Sequence, residues 1–265
     1  MKCYVINLDR SPLRLAGMTD LFGAAGIPFE RFAAVDGDRL PAERIEGLTF
    51  RRPDYRALTP SEVGCFLSHR GCWERIAAGS DDFAAIFEDD IDFSRNGTAC
   101  LKNAAWIPAD ADLVKLEAYD QKVCVGRRAL RMPGNYSLTR LWSKHWGSAG
   151  YIVSRSFAAR LANNTRQFSV TVDDALFNPR YAAVSEAVVY QIMPALCIQR
   201  QFNSEPDPLQ TYRSTVTSFA SGPEGQIPAQ SRLMRKTLRI KAQMLRFIRW
   251  QMLLRVPFQP AGDTN

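Results

Sequence analysis

Four carboxylates fall within five positions of one another in Ala84-Ala-Ile-Phe-Glu-Asp-Asp-Ile-Asp-Phe93, namely Glu88, Asp89, Asp90 and Asp92. An apolar run leads into them. Like charges held that close repel, and at the end of a buried strand the repulsion costs free energy unless a cation sits among them. Oxygen-only donors suit Mg2+ or Mn2+, ions that hold a few carboxylates together with substrate phosphates. The cluster therefore reads as a candidate site for a metal-bound nucleotide diphosphate. If the strand continues, Asp90 and Asp92 share one of its faces and form a possible ligand pair. The competing reading is a solvated acidic turn.

Other candidates lie on either side. The stretch Asn7-Leu-Asp-Arg10 closes a short apolar run, the usual place for a nucleotide in an open α/β sheet. There Asn7, with Leu8 beside it, is placed for a base or ribose, and Arg10 or Arg14 for a diphosphate. The alternative is a strand-end turn followed by exposed helix arginines. Ser68 and His69 sit on a predicted helix, where a lone histidine is more readily a hydrogen-bonded structural group than a pocket residue. Trp73, one turn on, faces either a sugar ring or the core. The second histidine, His145, lies in Trp142-Ser-Lys-His-Trp-Gly-Ser148, whose two tryptophans and glycine suit an acceptor-side loop.

These residues need a frame. Lys2 to Leu8 reads as a buried first strand, followed by a helix from Ser11 to Ala25 opened by a capping hydroxyl and a first-turn proline. Gly26 to Val35 reads as a second strand and Asp36 to Leu58 as irregular. A helix opened by Thr59-Pro-Ser-Glu62 runs to Ala78, and Phe83 to Phe87 is the strand that feeds the acidic cluster. Short strands follow at Asp112 to Leu116 and Gly150 to Ser154, with a helix from Arg155 to Asn163. Strands alternating with helices indicate a largely parallel sheet flanked by helices.

The chain of 265 residues is 46% hydrophobic and 23% charged, ordinary values for a globular enzyme. No stretch approaches the roughly 18 uncharged apolar residues of a membrane span, and the first residues are too short an apolar run for a signal sequence. The six cysteines form no CxxC pair, and free thiols fit a reducing cytoplasm. Charge is uneven. Arg232, Arg235, Lys236, Arg239, Lys241, Arg246, Arg249 and Arg255 follow one another with no acid between, and the net charge of +7 less these eight leaves −1. The basic balance thus belongs to the tail rather than the body. After a Ser, Gly and Pro-rich linker over 218–230, a helical wheel puts Leu233, Leu238, Met244, Phe247, Ile248 and Met252 on one arc and most of the cations opposite. Such a helix, with Trp250 and no acids, has the make-up of an interfacial membrane helix. At roughly 1 kcal/mol per cation near an anionic leaflet, it would adsorb reversibly. Docking on the body is the alternative, and nucleic acid is not the expected partner. The division is a catalytic domain over 1–217, the linker, and a basic amphipathic tail over 231–265.

Taken in order, Tyr4-Val-Ile-Asn-Leu-Asp-Arg-Ser-Pro-Leu-Arg14, Leu58-Thr-Pro-Ser-Glu-Val-Gly-Cys-Phe-Leu-Ser-His69 with Trp73, and Ile86-Phe-Glu-Asp-Asp-Ile91 resemble glycosyltransferase family 25 of lipooligosaccharide biosynthesis. Weaker echoes are Asp112-Leu-Val-Lys-Leu116, Gly147-Ser-Ala-Gly-Tyr-Ile-Val-Ser154 and Val172-Asp-Asp-Ala-Leu176. The resemblance covers residues 1–205 and implies an α/β, GT-A-like Rossmann-type nucleotide-sugar fold. It also implies inverting transfer of a hexose, most commonly galactose from UDP-galactose, to a lipid-linked core oligosaccharide. By the same analogy Asp90 ligates Mn2+ or Mg2+, Glu88 or Asp89 holds the ribose or a metal-bound water, and Ser68 and His69 line the donor pocket. A late histidine often completes such a metal site, and none follows His145.

Inverting transfer needs a carboxylate that takes the acceptor's proton, a contribution of about 10²–10⁴-fold. Asp173 and Asp174 are the leading candidates, since adjacent carboxylates can raise one another's pKa; helix capping is the other use of aspartate there. The expected protein is a cytoplasmic UDP-sugar transferase held on the inner face of the membrane by its tail. Its rivals are a metal-dependent phosphotransferase or hydrolase, disfavoured by the lack of a glycine-rich phosphate loop, and a non-catalytic membrane adaptor.

Overall fold

A computed structural model describes residues 1–94, 97–181, 184–203 and 249–260. The first strand, β1 (Lys2–Asn7), alternates its side chains between two cores: Cys3 and Val5 face one, Tyr4 and Ile6 the other. Helix α1 (Pro12–Ala24) crosses over the Cys3 face, where Met18 and Phe22 are buried, and leads to β2 (Glu30–Ala33), which lies parallel to β1. Pro12 stands in the first turn as expected, but the Ser11 hydroxyl makes no cap bond. The stretch read as irregular contains a short helix, α2 (Ala42–Leu48), none of whose residues is buried.

Helix α3 (Pro60–Ala78) starts where the sequence places it, with a capping box in which Thr59 Oγ accepts from the Glu62 N–H and the Thr59 N–H donates to Glu62. It buries Val63, Phe66, Trp73 and Ile76 on the Tyr4 face of the sheet. Its start packs backbone to backbone on the turn at Gly37: a Cβ at Gly64 would lie 2.6 Å from the Gly37 nitrogen. The chain then enters β3 (Phe83–Glu88), parallel to β1 on the side opposite β2. Beyond it come β4 (Ile91–Phe93), β5 (Leu113–Lys115), β6 (Glu117–Ala118), β7 (Lys122–Arg131), β8 (Ser137–Leu141) and β9 (Gly150–Ser154). They are followed by α4 (Arg155–Asn164), α5 (Val172–Phe177), β10 (Val189–Met193), β11 (Cys197–Gln199) and β12 (Gln251–Arg255).

Among the described residues nine strands form one sheet in the order β12-β7-β8-β10-β5-β9-β3-β1-β2, and β4-β11-β6 form a second. The large sheet is mixed, not largely parallel. Only β1–β2, β1–β3 and β10–β5 pair in parallel, and β9 is inserted antiparallel between β3 and β5. Between β5 and β9 the chain passes through β6, β7 and β8 with no α-helix, and a parallel pair needs a crossover connection that is usually helical.

The tail differs too. Residues 204–248, which hold the predicted linker and most of the predicted amphipathic helix, lie outside the described residues. The stretch Gln251–Arg255, assigned to the tail and in part to its helical arc, is a strand that extends the sheet by pairing antiparallel with β7. Met252-Leu-Leu254 is an apolar run that satisfies either period, and a free strand edge on β7 decides it. All six cysteines are free thiols, and among the described residues no helix is long and apolar enough to cross a membrane.

Candidate active site

From β1 the chain winds outward through α1 to β2 on one side, and α3 brings it back to β3 on the other, over the opposite face of the sheet. Strand order therefore reverses at β1, and the crevice at the carboxyl ends of strands at such a point is where open α/β sheets bind ligands. A cleft enclosing about 660 Å³, part of it open to solvent, lies there. Of the residues singled out in the sequence, Leu8, Arg10, Arg14, Ser68, His69, Glu88, Asp89 and Asp90 line it, together with Val35, Asp36 and Gly37. Asn7, Asp92, Asp173 and Asp174 do not.

The four clustered acids separate into distinct roles. Asp89 accepts from Asn7 Nδ2 at 2.7 Å and from Arg14 Nη1 at 2.9 Å. Asn7 and Arg14 thus hold the acidic turn, a task that sequence reasoning had not given them. Burial pushes the Asp89 carboxyl up, and Arg14 and Asn7 oppose it. Asp90 is buried without such help. Burial first, then the charges of Glu88 and Asp89, drive its pKa to about 8, and among the described residues its Oδ1 has no hydrogen-bond partner. Asp92 has left the site: the strand ends at Glu88, the chain turns, and β4 joins the small sheet. There its carboxylate accepts from Arg200 Nε at 2.8 Å and Asn203 Nδ2 at 2.9 Å. The continuing strand that would pair Asp90 with Asp92 does not form.

Glu88 continues the alternation of β3 and so points, like Ile86, toward α3 and His69. It accepts from Ser148 Oγ at 2.6 Å and meets His69 Nε2 at 3.3 Å. Burial alone would raise its pKa, but the bond and charge of His69, with Ser148 and Lys115, hold it below the usual range. His69 is fully buried. Its Nδ1 lies 2.9 Å from the Tyr151 hydroxyl, which accepts from Trp73 Nε1 at 2.8 Å. Tyr151 thereby fixes the ring so that Nε2 faces Glu88. Trp73 is core, not a sugar platform. The Ser68 hydroxyl is engaged too, donating to the Gly64 carbonyl and accepting from the Val35 N–H. Arg10 remains half-exposed, paired with Asp36 and Asp38 at the cleft rim.

Sequence reasoning missed a buried ion pair behind the cleft. Lys115 Nζ donates to Glu117 at 2.8 Å and to the carbonyls of Trp146 and Gly147, over the ring of Phe177. The other donor to Glu117 Oε2 is the Ala149 N–H at 3.0 Å, while Oε1 is buried with no partner among the described residues. Burial, against the pull of Lys115, lifts Glu117 to about 7. Gly147 has φ +83°, and a Cβ there would lie 2.6 Å from that carboxylate, so only glycine fits. The signal was present: Lys115 stands in a buried apolar strand, and a charge there needs a partner on its own face, two residues away.

This pair pins the loop that links the cleft to the second aspartate pair. Ser148 reaches Glu88, and the Gly147 N–H lies 3.4 Å from Asp173 Oδ2. Asp173 also accepts from Thr171 Oγ. Asp174 is buried and committed, accepting from Tyr55 at 2.9 Å and Asn178 at 2.8 Å and pairing with Lys144 at 2.5 Å. Neither caps α5, whose N-cap is Thr171. His145 Nδ1 donates to Gln191 Oε1 at 2.8 Å, and burial with nearby Lys115 drives its pKa down to about 3, so it is neutral.

The donor set decides which metal the cleft suits. Asp90 Oδ1, buried and unpartnered beside Glu88, is a hard oxygen donor that fits Mg2+ or Mn2+. Cys65, His69 and Glu88 also bring ligand atoms within 4.8 Å of one another. Both His69 nitrogens are already engaged and burial pushes the Cys65 thiol well up, which fits a softer ion poorly.

The family model described as glycosyltransferase family 25 (LPS biosynthesis protein) matches residues 1–176. The chain belongs to glycosyltransferase family 25. Family 25 relatives agree. It is 32% identical over 213 residues to the lacto-N-neotetraose biosynthesis glycosyltransferase LgtE of Neisseria meningitidis, covering 75% of this chain and 74% of that one. It is 33% identical over 154 residues to the lipooligosaccharide biosynthesis protein lex-1 of Haemophilus influenzae, covering 54% and 51%. Among solved structures, HddC from Yersinia pseudotuberculosis aligns over 72% of this chain at 11% identity with a TM-score of 0.36, too slight a likeness to argue from.

Proposed function

We propose that this family 25 member is an inverting glycosyltransferase of GT-A type that moves a hexose, galactose from UDP-galactose, onto a lipooligosaccharide or lipopolysaccharide core acceptor. One observation carries the reading: a buried, unpartnered Asp90 carboxyl beside Glu88 at a topological switch point of the sheet. The names of the relatives supply the acceptor class.

The residues divide the work. Leu8 and the Val35–Gly37 turn wall the cleft where the nucleoside enters. Arg10 exchanges its half-exposed pairs with Asp36 and Asp38 for the diphosphate, a swap that costs little because exposed ion pairs are worth about 0–1 kcal/mol. Asp90 and Glu88 would hold Mn2+ or Mg2+, which when bound supplies positive charge to the departing diphosphate. His69, fixed by Tyr151, keeps Glu88 ionised and aimed. Asp173 serves as base: the acceptor oxygen bonds to the anomeric carbon, the bond to the diphosphate oxygen breaks, and the hydroxyl proton passes to Asp173. Asp174, already held by Lys144, Tyr55 and Asn178, is the weaker candidate. The basic segment over 231–250 adds peripheral binding to the inner membrane face.

The test is a panel of UDP-sugars with Mn2+ and a lipooligosaccharide core acceptor, read as acceptor-dependent UDP release. UDP-galactose turning over well above the other sugars supports the reading. Phosphate release without an acceptor overturns it.

A further inference from the structure

The sheet ends opposite the cleft in a predominantly basic surface. From Gln121 to Val172 the sequence holds nine Lys and Arg and no Asp or Glu, so the body itself is polarised although its net charge is near zero. Five of the nine, Lys122, Arg127, Arg128, Arg131 and Arg140, stand on β7 and β8, and Arg255 adds a sixth from β12. Only Arg255 has a carboxylate partner among the described residues, Asp120. Apolar side chains are exposed on the same three-stranded edge: Trp250 at 66%, Leu253 at 49%, Trp142 at 48% and Leu130 at 38%. Residues Arg127 to Arg131 are all exposed, so β7 projects past the body as a ribbon whose faces both meet solvent.

We propose that this β12–β7–β8 edge is a docking surface for an anionic lipid bilayer. Cations that mostly lack a carboxylate partner, beside exposed tryptophan and leucine, are the composition that inserts at a charged headgroup boundary. A second copy of the chain would bring like charge against like. A nucleic acid would use the cations but leave Leu130 and Leu253 in water. No residue of 204–248 and no cleft residue belongs to this surface, so it stands apart from the transferase reading. It also sets an orientation. Six strand spacings separate β7 from β1, so the cleft stands about 30 Å along the sheet from the bilayer.

The test is co-sedimentation of the full chain with vesicles of phosphatidylcholine alone or mixed with phosphatidylglycerol. Wild-type protein binds the mixed vesicles, and salt weakens it. The triple variant R127Q/R128Q/R131Q binds about 100-fold more weakly, since each cation contributes about fivefold near an anionic surface. Trp250→Ala weakens binding severalfold, and both variants keep the wild-type circular dichroism spectrum. Undiminished binding by the triple variant overturns the proposal. So does loss of binding only when Arg235, Lys236 and Arg239 are neutralised, which would assign the contact to the tail. Preference for duplex DNA over the mixed vesicles overturns it as well.

Discussion

Replacing Asp90 by asparagine should make the metal-free protein more stable. Asp90 has its pKa raised from 3.8 to about 8 by burial and by Glu88 and Asp89. For a carboxyl raised in the folded state, the stabilising contribution is full below the unfolded value. It is lost as pH rises toward the folded one, because there the unfolded chain binds fewer protons. At pH 7 that loss has run for about three pH steps at about 1.4 kcal/mol each, or about 4 kcal/mol. Asparagine keeps the shape and removes the charge. At about 2–4 °C per kcal/mol for a domain of this size, the variant in EDTA should melt about 10 °C above wild type. Mn2+ reverses the order. Wild type at a hundredfold excess over its Kd gains about 2.7 kcal/mol, and the variant gains little. Thermal melts at pH 7 with EDTA or Mn2+ measure both effects. A variant that melts at or below wild type in EDTA, or is stabilised equally by Mn2+, refutes the reasoning.

The remaining predictions are shorter. Asp173→Asn should lower kcat by about 10²–10⁴-fold while UDP affinity by calorimetry stays within a factor of about two. Asp174→Asn should act mainly on the melting temperature, because its buried bonds to Lys144, Tyr55 and Asn178 are structural. Lys115→Met should cost about 3–5 kcal/mol in urea unfolding by stranding Glu117, and adding Glu117→Leu should restore much of it. Because Glu117 is raised to about 7 and Asp90 to about 8, metal-free stability should fall as pH rises from about 4 to about 8, and Mn2+ should flatten that slope.

Elements with strong local signals were legible. Proline after a capping residue announced α3, and uninterrupted apolar runs announced β1, β3 and β9. The cleft was legible for the same reason: its residues end those strands or face them from α3. What escaped depends on contacts distant in sequence. The distal half of β7 is exposed and rich in arginine, so that strand does not alternate cleanly, and the antiparallel place of β9 rests on its pairing with the distant β3 and β5. Asp92 looks like Asp90 in sequence, and only the turn after Glu88 and the distant Arg200 send it elsewhere. Asn7 and Arg14 read as ligand contacts because Asp89, which claims them, lies more than seventy residues away. Residues 251–255 fit a helical arc until the open edge of β7 is known.

The central claim concerns one oxygen in one crevice. A crystal grown with UDP and Mn2+, read by anomalous scattering at the manganese edge, tests it most directly. The account predicts manganese about 2.2 Å from Asp90 Oδ1, with the diphosphate between it and Arg10. Manganese at Asp92, or UDP seated away from the carboxyl ends of β1 and β3, would contradict it.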